Sequence, residues 1–126
     1  MLRLILFCAP FLALATGTFA GTIRYDCSFD YSCSQTRGCS STVFQFVLRL
    51  DDVTGDAFIQ GNAGLAQIQA LRGPEATTFV EVLRAGVIQV TTVLPDGRAS
   101  HSRHTIMFGN EFAPSQFYGQ CQISRE

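Results

Sequence analysis

The stretch TVFQFVLRL, residues 42–50, decides the fold class of this chain. Large hydrophobic residues recur at every second position from Phe44 to Leu50, and Gln45 and Arg49 stand between them. Side chains of a β-strand alternate between its two faces, so the pattern predicts a strand with one apolar and one polar face. Such a strand is typical of an antiparallel sheet that packs on a core with one face and meets solvent with the other.

The chain after residue 20 repeats this kind of segment. Short runs rich in Val, Ile, Phe and Thr alternate with clusters of Gly, Pro, Asp and Asn, and no stretch combines a helical period with caps. Short connections pair strands that are neighbours in sequence. We therefore expect residues 21–126 to form a single all-β domain, a small antiparallel meander of about eight strands in a closed or nearly closed barrel stapled by disulfides; a flattened sandwich is the alternative. The predicted strands are 22–29, 42–50, 56–60, 65–71, 77–84, 87–94, 98–108 and 116–123.

Residues 1–20 read as a secretory signal peptide. Arg3 supplies the charged region, LILFCAPFLALA is an apolar run of the expected length, and Thr18 and Ala20 occupy the positions that signal peptidase reads. Cleavage is predicted after Ala20, and cleavage after Ala15 is the weaker alternative. The protein is thus expected to be periplasmic or secreted. No later stretch approaches eighteen apolar residues, so stable membrane insertion after signal removal is not expected.

Four cysteines remain after the signal peptide: Cys27, Cys33, Cys39 and Cys121. An even count in an oxidising compartment predicts disulfides, for which three pairings exist. If the sheet closes, its first and last strands pair, which favours Cys27–Cys121 across the seam and Cys33–Cys39 across the first turn. The spacing of five residues between successive early cysteines differs from that of zinc ligand pairs, so neither a metal nor another cofactor is predicted.

Charge excludes one class of partner. The chain has no lysine, and after the signal peptide its eight arginines face ten acidic residues with no basic block. A nucleic-acid binder would carry a basic patch, so no nucleic-acid partner is expected.

The segment SHSRHT, residues 100–105, contains both histidines of the chain. On a helix, His101 and His104 would share a face and suggest a metal site. On the predicted strand they point to opposite faces and cannot hold one ion together.

Hairpin loops extend this reading to neighbouring strands. AG, residues 85–86, is taken as a two-residue loop, and PDG, residues 95–97, as a three-residue loop with a left-handed glycine. These registers place Glu81, Ser102 and His104 on the inward face. His101 and Arg103 then face outward, together with Arg84 and Gln89.

Two candidate sites follow from these faces. Glu81, His104 and Ser102 form a polar cluster that is either a ligand pocket or a satisfied part of the core. Arg103 belongs to an outward patch that is either an ordinary solvated strand face or a site for an anion or an acidic partner. A serine in mid-strand has no oxyanion hole, and no G-x-S-x-G motif occurs, so catalytic residues are not predicted and the protein is expected not to be an enzyme.

The segment FGNEFAPSQFYG, residues 108–119, is rich in aromatic side chains. These either cap one end of the core or form an exposed rim for a partner or an apolar ligand. They are Phe108, Phe112, Phe117 and Tyr118.

Several segments resemble small secreted β-barrel-like proteins of alphaproteobacteria: RYDCSF, CSQTRGC, TFVEVLRAGVIQVTTV, SRHTI and PSQFYGQC. This resemblance implies location and architecture. A looser one is to the periplasmic C-type lysozyme inhibitors, small eight-stranded barrels, because Tyr25 precedes Cys27 by two residues and Cys121 lies in the last strand.

The function expected from these features is a non-enzymatic interaction or envelope module whose partner is a periplasmic protein. One alternative is a small apolar-ligand binder that uses the barrel interior. Another is an inhibitor of a periplasmic hydrolase such as lysozyme. A hydrolase, the least favoured reading, requires Glu81 and His104 within hydrogen-bonding reach in an open cleft.

Overall fold

In a computed structural model, which describes residues 21–126, the chain forms a closed antiparallel barrel of eight strands in chain order. Each strand pairs with its neighbours in sequence, and the last strand pairs with the first. The predicted all-β barrel is therefore confirmed, and the predicted signal peptide lies outside the described residues. The strands are β1 Thr22–Ser34, β2 Gly38–Asp51, β3 Ala57–Gly61, β4 Gly64–Arg72, β5 Thr77–Val82, β6 Ile88–Val93, β7 Arg98–Ile106 and β8 Phe112–Arg125, with one 3-10 turn at Phe108–Asn110.

The interior is packed with side chains from the alternating positions of the strands. Phe46, Leu48 and Leu50 of β2 are buried, as their alternation predicts, and Phe44 packs against the same cluster. Aromatic rings fill the space between the strands, and Phe29 stacks on Phe46 with 5.4 Å between ring centroids. The buried hydrophobic set is Ile23, Tyr25, Cys27, Phe29, Phe46, Leu48, Leu50, Ala57, Ile68, Phe79, Val93, Ala113 and Cys121.

Three strands are longer than the sequence predicts. β1 continues to Ser34, β2 begins at Gly38, and β8 begins at Phe112. The segments that join the predicted strands at these places are therefore largely strand themselves. Their side chains are mostly polar, so alternation is weak, but each backbone finds a ladder partner in the neighbouring strand. The strands β1, β2, β7 and β8 extend beyond their shorter neighbours. We call the extended part the overhanging sheet; it comprises residues 30–34, 38–43, 104–106 and 112–118.

Both predicted disulfides are present. Cys27 and Cys121 are direct partners in the ladder that closes the barrel, and they are 94 residues apart in sequence. Cys33 and Cys39 are direct partners beside the turn between β1 and β2. Disulfides persist in oxidising compartments, so the protein belongs to a non-cytoplasmic location. No helix within residues 21–126 has the length and apolarity needed to cross a membrane.

The loop between β6 and β7 has the predicted register. Leu94 donates its N–H to the carbonyl of Arg98 at 2.9 Å, and Gly97 occupies the left-handed region at φ 92°. Consequently Ser102 lies opposite Val90, as expected.

The loop between β5 and β6 differs from the prediction by one residue. Leu83 donates its N–H to the carbonyl of Val87 at 2.9 Å, so the loop contains Arg84 as well as Ala85 and Gly86. Gly86, at φ 81°, takes the left-handed third position of a three-residue loop. Side chains alternate with a period of two, so this single residue reverses the predicted inward and outward faces of β6 and β7.

The two disulfides should contribute unequally to stability. Replacing Cys27 and Cys121 together by alanine should lower the free energy of unfolding by about 4–5 kcal/mol, because this bond closes the long loop of the unfolded chain. The matched double substitution of Cys33 and Cys39 should cost about 2 kcal/mol, since its loop is short. Urea unfolding of both variants measures the difference. Equal losses would contradict the chain-entropy account.

Candidate functional site

His101, and not His104, is the histidine inside the barrel. Its side chain is 1% exposed, whereas His104 is exposed on the opposite face of β7. The prediction that the two histidines lie on opposite faces is confirmed, and the prediction that His104 faces inward is wrong. The cause is the additional residue in the loop at Gly86.

Four phenylalanine rings surround the imidazole of His101. Ring centroids of Phe44 and Phe46 lie 5.3 and 5.1 Å away, and those of Phe29 and Phe117 each lie 5.8 Å away. Each of these residues occupies an inward position of β1, β2 or β8. The histidine is therefore held in an apolar surrounding in which a positive charge is poorly solvated.

A chain of hydrogen bonds connects His101 to the end of the barrel. Thr91 Oγ1 is 2.8 Å from Nδ1 of His101, and Nε2 of His101 is 3.2 Å from Oε1 of Gln89. The amide nitrogen of Gln89 in turn donates to Oε2 of Glu81 at 3.2 Å. Since the Gln89 oxygen must accept, neutral His101 carries its proton on Nε2, and the Thr91 hydroxyl donates to Nδ1. We call these four residues the polar relay.

Burial keeps His101 neutral. It lowers the pKa of the imidazole from 6.5 to about 4, and the positive charge of Arg103 acts in the same direction. Among residues 21–126, no buried side-chain nitrogen or oxygen lacks a hydrogen-bond partner. At the buried end of the polar relay, the partners of the His101 ring nitrogens are Thr91 and Gln89.

Three polar residues form a row across the end of the barrel. Gln89 on β6 lies opposite Glu81 on β5 and opposite Arg103 on β7. Neighbouring strands are about 4.8 Å apart, so the backbones of Glu81 and Arg103 are separated by about 10 Å. All three side chains are half-buried. The guanidinium of Arg103 lies over the ring of Phe44, with 5.3 Å from Cζ to the centroid.

This row lines a cleft of about 500 Å³ at the mouth of the barrel. The volume falls in the range of small-molecule sites, about 300–1,000 Å³. Its apolar walls come from inward aromatic residues of β2 and from aliphatic residues of β3, β4 and the β5–β6 loop. We call this space the mouth cleft; its lining includes Phe44, Phe46, Ile59, Leu65, Leu83, Glu81, Gln89 and Arg103, together with the 61–64 turn.

The structure brings together only part of the predicted site. Glu81 faces inward as predicted, and Arg103 joins it in the mouth cleft, whereas Arg103 was expected on the outer face. Ser102 and His104 lie on the outer face, where Ser102 donates to Oε1 of Gln116 at 2.5 Å. Glu81 and His104 therefore stand on opposite faces of the sheet, which removes the arrangement that a hydrolase would need.

The inward positions of Gln89 and His101 differ from those predicted from the sequence. One signal was present: RAG, residues 84–86, has the same form as PDG, residues 95–97, with glycine in third position. Applying the three-residue rule to both loops places Gln89, His101 and Arg103 inward.

The aromatic segment of β8 divides between core and surface. Phe117 packs against the core, whereas Phe112 and Tyr118 are about half exposed and Phe108 is fully exposed. Tyr118 contacts Tyr31 on the outer face of the overhanging sheet, with 6.3 Å between centroids. Part of the segment thus packs on the core, and part of it is exposed.

Comparison with known proteins adds no family: no protein-family model, no curated protein and no solved structure matches the chain. The functional reading therefore depends on the geometry described above.

Acid should destabilise the protein through His101. The unfolded imidazole titrates near 6.5 and the folded one near 4, so the unfolded chain binds the extra proton first, and stability falls as the pH decreases through this window. The histidine contribution amounts to about 3 kcal/mol at pH 4, because one pKa unit corresponds to about 1.4 kcal/mol.

The measurement compares urea unfolding at pH 7 and pH 4 for the wild type and His101→Gln. Carboxylates titrate in both proteins, so the difference between their pH slopes isolates the imidazole. His104→Gln is the matched control and should keep the wild-type slope. A wild-type slope in His101→Gln would refute the assignment.

Proposed function

We propose that the protein is a non-enzymatic binding module, periplasmic or secreted after cleavage behind Ala20, and that its mouth cleft binds a small ligand with an anionic group and an apolar body. Arg103 binds the anion, and the aromatic and aliphatic walls contact the apolar body. The hydrogen bonds of the polar relay hold Gln89 and Glu81 in place on the side of the cleft away from Arg103.

The half-buried, unpaired guanidinium of Arg103 carries this proposal. Five of the eight arginines in the described part of the chain form ion pairs with carboxylates: Arg24, Arg49, Arg72, Arg98 and Arg125. Arg37 and Arg84 have no such partner there either, but both are exposed to solvent. Arg103 alone among the described arginines is half-buried with no carboxylate within 4.0 Å. Partial desolvation of a charge is unfavourable unless a counter-ion compensates it. An anionic ligand would be the counter-ion that Arg103 does not have within the described chain.

The filled interior restricts where a ligand can bind. Phe29, Leu48 and Phe79 are at most 2% exposed, and they occupy the middle of the barrel. A ligand held deep in the barrel, as in large lipid-carrying barrels, would need to displace these side chains. The mouth cleft needs no such rearrangement, because its walls are already in place.

The polar relay favours binding over catalysis. His101 has both ring nitrogens engaged and is covered by aromatic rings, so it offers no nitrogen to a substrate. A general base must reach the proton that it abstracts. Here the imidazole instead orients Gln89, which is a structural task.

A second candidate function is docking to a protein partner, including inhibition of a hydrolase. It is favoured by the β7–β8 turn, where Phe108 is fully exposed beside the exposed Ile106 and Phe112. Contiguous exposed apolar side chains mark interaction surfaces more often than chance. A projecting aromatic tip also suits insertion into the cleft of another protein.

Removal of the Arg103 guanidinium should weaken anion binding strongly while the fold persists. Titration of the wild type with 3-phenylpropionate, followed by NMR chemical shifts, should move the backbone signals of Arg103, Gln89 and Glu81. Arg103→Gln should weaken binding at least about tenfold, since a charge-assisted contact is worth about 1.5–3 kcal/mol. Arg84→Gln, at an exposed and unpaired arginine, is the matched control. Equal binding by both variants would rule out the mouth cleft as the anion site.

Docking through the aromatic tip predicts a separate pattern. Phe108→Ser should change the unfolding free energy by less than about 0.5 kcal/mol, because the ring makes no buried contact. Photo-crosslinking from position 108 in a periplasmic extract should yield a defined adduct. The control places the crosslinker at exposed Val53. The same adducts from both positions would speak against a specific tip surface.

A further inference from the structure

We infer that the ligand of the mouth cleft is a zwitterion with an apolar side chain, such as a free hydrophobic amino acid, whose acid group binds Arg103 and whose ammonium group binds Glu81. This inference rests on the proposed function and adds the cationic half of the ligand.

Two opposite charges share the mouth cleft without pairing. Glu81 and Arg103 both line it, and both are half-buried. Their charged atoms are nevertheless more than 4.0 Å apart, whereas other acid–arginine pairs in the described chain close to between 2.7 and 3.4 Å. Two half-buried charges of opposite sign gain free energy from contact. The gap between them is therefore a place where a molecule with both charges replaces the missing contact on each side.

Gln89 keeps the gap open. It occupies the middle of the row, and its amide nitrogen donates to one oxygen of Glu81. The other oxygen of that carboxylate has no hydrogen-bond donor among residues 21–126 and is available to an ammonium group. Rotation of the amide would set its oxygen against the carboxylate of Glu81, so the Gln89 N–H stays with Glu81 and is not offered to an acid group.

The row is consequently directional. Glu81 presents a hydrogen-bond acceptor at one end, and the guanidinium of Arg103 presents donors at the other. Gln89, in the middle, is already hydrogen-bonded to Glu81 and His101. Guanidinium binds carboxylate in a planar, bidentate manner, while a carboxylate accepts the several donors of an ammonium group. A ligand with only an acid group satisfies one end. A ligand with only an amine satisfies the other.

The walls select the rest of the ligand. Phe44 and Phe46 stand beside the polar row, and Ile59, Leu65 and Leu83 complete an apolar side. A second charge on the ligand body would meet these residues and lose hydration. An aromatic or large aliphatic side chain fits them best.

The test uses three probes, a zwitterion and two analogues that each lack one of its charged groups. They are L-phenylalanine, 3-phenylpropionate, which lacks the ammonium group, and phenethylamine, which lacks the carboxylate. L-leucine and 4-methylpentanoate repeat the comparison with an aliphatic body. Dissociation constants come from NMR titration of the full disulfide-bonded protein. Each amino acid should bind at least tenfold more tightly than any analogue that lacks one of its charged groups.

Variants separate the two ends of the row. Glu81→Gln should weaken amino-acid binding at least tenfold and leave 3-phenylpropionate unchanged or tighter. Glu75→Gln, at an exposed glutamate outside the cleft, is the matched control and should bind like the wild type. Unfolding curves verify that each variant is folded. Where a variant does not fold, the affinities of the wild-type protein for L-leucine and 4-methylpentanoate decide whether the ammonium group contributes to binding.

The outcomes distinguish the inference from the proposed function. Equal affinity for the amino acid and its deaminated analogue, or no effect of Glu81→Gln, would overturn the zwitterion while leaving the anion site intact. Binding of phenethylamine alone, unaffected by Arg103→Gln, would overturn both. Absence of binding by all five probes would overturn both as well.

Discussion

Closure of the barrel between β1 and β8 is the constraint on which the rest of the structure depends. The ladder continues along nearly the whole of both strands, and the Cys27–Cys121 bond joins two residues that are already direct partners in it. Without this seam the two long terminal strands would present unpaired edges, which favour aggregation. With it, eight strands enclose an interior small enough to be filled by Phe29, Leu48 and Phe79. A filled interior leaves binding to the two ends and to the outer surface.

The fold could be predicted from the sequence where hydrophobic and polar residues alternate according to which face of the strand is buried. Alternation in β2 gave the strand period, and an even number of cysteines in a closing sheet gave the pairing that the structure contains. The extensions of β1 and β2 around Ser34 and Gly38 were not predictable in this way, because both faces there are largely polar or exposed. Their strand conformation comes from backbone pairing with neighbours, which leaves little mark on residue type.

The site was less predictable, because it depends on register. Faces in a sheet exchange with a shift of one residue, so a single additional loop residue, Arg84, moves Gln89, His101 and Arg103 from the predicted outside to the inside. Tripeptides ending in glycine close both hairpins, with Gly86 and Gly97 left-handed. The shared form of RAG and PDG is the local signal that Arg84 belongs to the loop and not to the ladder. Glu81 was assigned correctly because it precedes this loop.

The polar relay also explains how a proton on His101 affects the molecule without reversing the hydrogen bonds between His101, Gln89 and Glu81. Protonation adds a hydrogen at Nδ1 of His101, and the Thr91 hydroxyl, which can accept as well as donate, turns to receive it. The Nε2–H bond to Gln89 is unchanged, so Gln89 continues to donate to Glu81. The penalty of acid is then the charge itself, enclosed by phenylalanine rings and repelled by Arg103. Protonation of His101 therefore lowers stability without itself breaking a hydrogen bond of the polar relay.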